Sequence, residues 1–232
     1  MEIEVELSKS DNGREWLKCL PDECVRALSV ISSRLSNVPV VPLLRQSVLP
    51  FHLIHPSHVR LVVLCKEPYA SESMATGVPV ETASGMETPS ANYFLDVIRS
   101  YWADVSNVSV GMRCYYASGI LVLNSSATIV SSIDKRYTLA LSHFSLWATF
   151  MRPLVRYLLL RRVPIVALGA EAKQLVRNIE SHGLVQQCAF PSDPTTAEDF
   201  YETLRQAIDS HVYDRSHATS ATLARTSDQH TT

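Results

Sequence analysis

Excess charge of either sign is missing from this 232-residue sequence: 21 Lys and Arg against 23 Asp and Glu leave a formal charge of −2. No global field draws such a chain to nucleic acid, although a local basic groove remains compatible with it. No CxxC pair occurs among the five cysteines (Cys19, Cys24, Cys65, Cys114, Cys188). The odd count argues against a disulfide framework, so buried reduced thiols of an intracellular protein are expected. Long hydrophobic runs are absent too. "GILVLN" and "VPIVALG" fall far short of the ~18 residues a membrane span needs, and the acidic, alternating start "MEIEVELSKSDNGREW" has no apolar signal-peptide core. These absences predict a soluble protein of the cytoplasm or nucleus with no membrane partner. No internal repeat is visible.

What is present is enough apolar residue, 46%, to bury the core of one domain. Residues 1–13 read as an N-terminal arm. Residues 14–35 carry helical spacing through Trp16, Leu17, Leu20, Val25, Leu28, Ile31 and Leu35, and Pro21 divides that lead-in into two short helices. Pro39, Pro42, Pro50 and Pro56 forbid a long helix in the next segment and predict an irregular stretch with about one helical turn.

Three apolar runs follow, at 59–65, 119–129 and 163–169, each nearly continuous, as a strand covered on both faces must be. Helical spacing fills 90–105 and 143–161, the second carrying a possible kink point at Pro153. A further helix is expected to open after Gly169 and stop at Gly183. A fourth strand at 184–190 then leads to a final helix capped by Thr195 or Thr196. This alternation predicts an α/β fold: a four-stranded, mostly parallel sheet sandwiched between helices, in one domain over 1–212. Residues 213–232 are polar and aperiodic and read as a disordered tail.

A sheet of this kind keeps its functional groups at the carboxyl ends of its strands. Here those ends are Cys65–Tyr69, Asn124–Thr128, Gly169–Ala172 and Phe190–Pro194. In that order they resemble the motif set of uracil-DNA glycosylases of the uracil-N-glycosylase superfamily, over roughly Arg14 to Ile208. The family's Gly-Gln-Asp-Pro-Tyr-His motif lies over Cys65-Lys66-Glu67-Pro68-Tyr69-Ala70. Its Gly followed three positions later by a uracil-stacking Phe lies over Gly77 and Val80. The Pro-Ser opening the next helix matches Pro89-Ser90, and the Leu-Leu-Asn strand end matches "LVLN", ending at Asn124. A phosphate-gripping Gly-Ser turn corresponds to Gly169-Ala170. The His-Pro-Ser-Pro loop meets "FPSDP", with Phe190 in the histidine position and Ser192 retained.

The resemblance implies a three-layer glycosylase-like fold, no cofactor and no metal. It also implies roles: Glu67 as the water-orienting carboxylate, with one methylene more than the family's Asp, and Asn124 as the reader of the uracil edge. Tyr69 would exclude a thymine methyl, beside Lys66 and Val80 in the uracil pocket, and Ser90, Gly169, Ala170 and Ser192 would contact DNA phosphates. The departures weigh against catalysis. Phe190 cannot donate a hydrogen bond to a leaving uracil anion, and loss of one such donor costs about 10²–10³ in rate. Val80 offers no stacking platform, a contact of about 1–3 kcal/mol per base. Lys66 beside Glu67 opposes a cationic sugar transition state. Ala170 lacks a hydroxyl, and where the family inserts a leucine wedge the chain runs straight into Asp193, Glu198 and Asp199, which repel phosphate. His52, His55, His58 and His143 fall on no matching motif and are expected to be surface or satisfied groups.

The expectation is therefore a glycosylase-fold protein of DNA repair or replication whose uracil excision is lost or strongly weakened. It would bind DNA weakly and serve as a binding or accessory partner of a replication or repair protein. The enzyme-class alternative is an active, divergent glycosylase using Glu67 and Asn124; an unrelated small-molecule α/β protein is a third. The divergence is similar to that of viral family members, which would place the protein in a host nucleus.

Overall fold

The computed structural model describes residues 3–83, 88–103, 105–131 and 143–212. Ile3 and Leu7 sit one helical turn apart, so both reach one face of the first helix, α1 (Ile3–Leu7), where each is buried. Ser10 then accepts the Gly13 N–H and starts α2 (Asp11–Cys19). Pro21 opens α3 (Asp22–Leu35), as the sequence predicts. The proline-rich segment holds a short strand, β1 (Val40–Val41), one helical turn and a half, α4 (Leu49–Leu53), and a 3-10 turn at Pro56–His58.

The sheet strands are β2 (Leu61–Cys65), β3 (Ile120–Asn124), β5 (Ile165–Leu168) and β6 (Val185–Cys188), in the order β3-β2-β5-β6 with every pair parallel. Every residue of β2, β3 and β5 is buried, which explains their continuous apolar runs. The run at 119–129 is not one strand. It breaks after Asn124, and Ile129–Val130 forms β4, antiparallel to β1 in a separate two-stranded ribbon. Ser125 and Ser126 make the break by turning back onto β2: Ser125 N–H and Oγ both donate to the Cys65 carbonyl, at 2.8 and 2.6 Å, and Ser126 N–H donates to the Lys66 carbonyl at 3.1 Å.

Helices α5 (Pro89–Arg99), α7 (Phe144–Leu160), α8 (Gly169–Val176) and α9 (Pro194–His211) cover the sheet. The buried residues of α7 recur from Trp147 to Leu159 at helical spacing, and the helix continues through Pro153. Between α5 and β3 the sequence reading has no element, yet Asn107 accepts the Val110 N–H and caps α6 (Val108–Ala117). Two boundaries also differ from expectation. Helix α8 stops at Val176 rather than Gly183, because Arg177 is extended and Asn178 takes a left-handed φ of 62°. Helix α9 is capped by Asp193, not by a threonine; its carboxylate accepts the Thr195 and Thr196 N–H groups, with Pro194 at the first helical position. The expected tail at 213–232 lies outside the described residues.

Candidate active site

Parallel pairing of β2 with β3 sets Cys65 opposite Asn124 on the last rung of the ladder, so the chain leaves both strands at one edge of the sheet. A cavity of about 110 Å³ opens there. It is lined by Lys66, Glu67 and Tyr69 after β2, Val80 from the following loop, Ser90 in the first turn of α5, Asn124, and Phe190 after β6. Pockets for drug-sized ligands measure about 300–1,000 Å³; this one suits a single small ring. Seven of the sequence-derived site residues thus meet at one opening. Gly169, Ala170 and Ser192 do not line it. Gly169 lies behind Phe190, whose Cβ would be 3.3 Å from a Cβ built on the glycine, while Ala170 and Ser192 are exposed. None of His52, His55, His58 and His143 lines the cavity.

The Lys66 ammonium lies 3.1 Å from Glu67 and 3.6 Å from Glu171, which projects from the first turn of α8. The hydrogen bond to Glu67, ahead of the attraction to Glu171, holds the lysine above its usual value and therefore charged. Asn124 is 6% exposed, and its amide makes no hydrogen bond among the described residues. The amide is open to the cavity rather than sealed from solvent, so it carries no desolvation penalty of its own. There it is available to the polar edge of a ligand.

The loop carrying Val80 is anchored from both sides. A Cβ at Gly77 would fall 2.1 Å from the Gln46 carbonyl oxygen, and Gly77 has φ +97°, so only glycine fits this close approach. Val80 itself has φ +69°, a strained setting for a β-branched residue. The Tyr69 hydroxyl holds it there, donating to the Val80 carbonyl at 3.2 Å and pairing with the Thr88 hydroxyl at 2.8 Å. Burial pushes the Tyr69 phenol above its usual value, so it stays protonated as that donor requires. Glu81, 9% exposed, accepts the Ser109 hydroxyl at 2.6 Å and ties the same loop to α6.

Phe190 is half-buried and packed against the core. Only three residues separate it from Pro194, where α9 begins, so the chain has no length there for a protruding wedge. Sequence reasoning missed Glu81, Thr88 and Glu171. Their partners are 28, 19 and 105 positions away in sequence, and no local pattern signals such pairings.

The fold has known counterparts. A mutant UNG from Nitratifractor salsuginis superposes with a TM-score of 0.63 at 16% identity, covering 91% of this chain and 97% of that one. Mimivirus uracil-DNA glycosylase gives a TM-score of 0.64 at 18% identity, covering 84% and 72%. A mimivirus UNG variant in complex with UGI gives 0.58 at 19% identity, covering 73% and 64%. No family model matches the sequence, and no curated protein does. At these identities the likeness defines the fold: this chain has the architecture of a uracil-DNA glycosylase.

Proposed function

We propose that this chain is a DNA repair or replication protein that retains a glycosylase's base-reading pocket while its uracil excision is lost or strongly weakened. Excision requires a flipped-out base, a hold on its edge, and stabilisation of both a sugar cation and a uracil anion. The observation that carries the reading is the composition of the pocket. The unspent Asn124 amide is suited to the uracil edge, but the same cavity is lined by the Phe190 ring, which donates nothing to a developing anion.

Two further features support weakened chemistry. Glu67, the carboxylate suited to orient a water, is paired with the Lys66 ammonium, which opposes the field a sugar cation needs. Val80 replaces an aromatic platform with a small branched side chain held in a strained backbone. In this reading Ser90 and the backbone at Gly169-Ala170 contact phosphate, and Ser192 contributes little because its hydroxyl is bonded to Asp193 at 3.0 Å. A protein partner from the replication or repair machinery would then give the fold its use. The capture of a mimivirus UNG in complex with UGI supports a bound partner on this architecture.

The enzyme-class alternative is favoured by one observation: Glu67 and Asn124 share a cavity of single-ring size. An excision assay on single-stranded uracil DNA separates the two. The expected result is turnover at or near background. Robust cleavage abolished by Glu67→Gln would overturn the weakened-enzyme reading. The combined substitution Phe190→His, Val80→Phe and Glu67→Asp is expected to recover measurable excision.

A further inference from the structure

Arg60 and Gly119 stand immediately before β2 and β3, at the amino ends of the two strands whose carboxyl ends form the pocket. A second cavity, of about 710 Å³, opens there; its wall includes His55, His58, Arg60, Trp102, Tyr116 and Ser118. The five residues of β2, at roughly 3.3 Å each, put about 17 Å between the two openings. A ring seated in one cannot touch the other.

The lining of this groove is basic, with the Glu15 carboxylate of α2 near His55 beside it. Among the described residues no carboxylate lines it, while Arg60 and two histidines do. Arg60 is exposed, forms no ion pair among the described residues, and makes one side-chain hydrogen bond, a long 3.4 Å contact to the Val212 carbonyl. His55 Nδ1 accepts the Ser57 N–H at 3.2 Å, which places the ring proton on Nε2 and leaves that N–H as a donor. The His58 ring stands 5.3 Å from it, centroid to centroid. The floor is fixed: Gly119, at φ +90°, accepts the Arg60 N–H at 2.8 Å, and a Cβ there would lie 2.7 Å from the His58 carbonyl oxygen. Trp102 adds an aromatic wall. The other two tryptophans, Trp16 and Trp147, are fully buried.

We infer that this groove is a second ligand site, which takes a nucleoside phosphate unit. Arg60 presents a guanidinium fork to the phosphate, a geometry it matches with two donors. His55 and His58 supply further donors beside it, and Trp102 offers the ring against which a base stacks. The same chemistry is presented by a free nucleotide and by one residue of a DNA strand passing over the sheet's amino end. The inference stands independently of what the Asn124 pocket does.

The test is calorimetric titration of the full chain at low salt with three probes: thymidine 5′-monophosphate, uracil-free oligothymidylate and inorganic phosphate. Saturable binding of a nucleotide probe is expected, accompanied by a change in Trp102 fluorescence. Arg60→Gln should weaken it about tenfold, as loss of a charge-assisted hydrogen bond does. His58→Ala should weaken it less, and Asn124→Leu should leave it unchanged. Tighter binding of the oligonucleotide than of the monophosphate identifies a DNA strand as the source, and the reverse order a free nucleotide. Absence of saturation with both nucleotide probes, binding indifferent to Arg60→Gln in a variant that melts like the parent, or binding lost with Asn124→Leu overturns the site. Inorganic phosphate binding as tightly as the monophosphate overturns the nucleotide assignment.

Discussion

Lys66 and Glu67, adjacent in sequence at the end of β2, form an ion pair at 3.1 Å across the mouth of the pocket. A lysine held charged by this contact cancels much of the carboxylate's field where a sugar cation would develop. Lys66→Gln, added to the Phe190→His, Val80→Phe and Glu67→Asp combination, is therefore expected to raise single-turnover excision by about tenfold. Melting should barely change, since a partly exposed pair contributes about 0–1 kcal/mol. A rate unchanged or lowered by Lys66→Gln would assign the lysine a supporting role instead.

Asn124 is expected to matter for binding and not for stability. Asn124→Leu replaces a cavity-facing amide with no hydrogen-bond partner among the described residues and keeps its approximate volume, so stability should change by less than about 1 kcal/mol. The same substitution should abolish binding of uracil-containing single strands above the uracil-free background. Urea denaturation and a paired binding assay read the two effects separately.

Gly77 is a position where tertiary approach admits no side chain. Gly77→Ala sets a Cβ 2.1 Å from the Gln46 carbonyl oxygen at a φ of +97°. The loop or its neighbour must move, at a cost of more than about 2 kcal/mol. A lower denaturation midpoint at unchanged slope is the expected outcome.

Stability should fall with acid earlier than carboxylate titration alone dictates. Burial holds both His52 and His143 below the usual 6.5, with His52 bonded to the Ser10 hydroxyl and His143 to the Thr128 hydroxyl. The unfolded chain then binds protons at a higher pH than the folded one. Their contribution is complete above 6.5 and is lost as pH drops through that value towards the lower folded values. Thermal melts between about pH 8 and pH 5 should show this decline, and a His52→Gln, His143→Gln double variant should show a shallower slope.

The sequence by itself determined the layered architecture. Strands buried on both faces must be continuously apolar, so β2, β3 and β5 are visible as runs such as "LVVLC" and "ILVLN", whereas the edge strand β6, with Gln186 and Gln187, is only partly buried. Their parallel order follows from the helices between them. It also determined which edge carries the pocket, because parallel strands bring their carboxyl ends together; Lys66, Glu67, Tyr69 and Asn124 were legible for that reason. Helix α6 gives a weaker signal: its buried residues Val108, Gly111, Met112, Tyr115 and Tyr116 do recur at helical spacing, but a glycine and two tyrosines hold three of those five positions and blur the apolar pattern. Only the tertiary structure decided that Glu171 approaches Lys66, that Glu81 is secured by Ser109, that Val80 is held at positive φ by Tyr69, and that Arg60 shares a groove with Trp102. Each of these brings together residues separated in sequence. Local patterning records the solvent exposure a residue will have, but not which distant group will stand beside it.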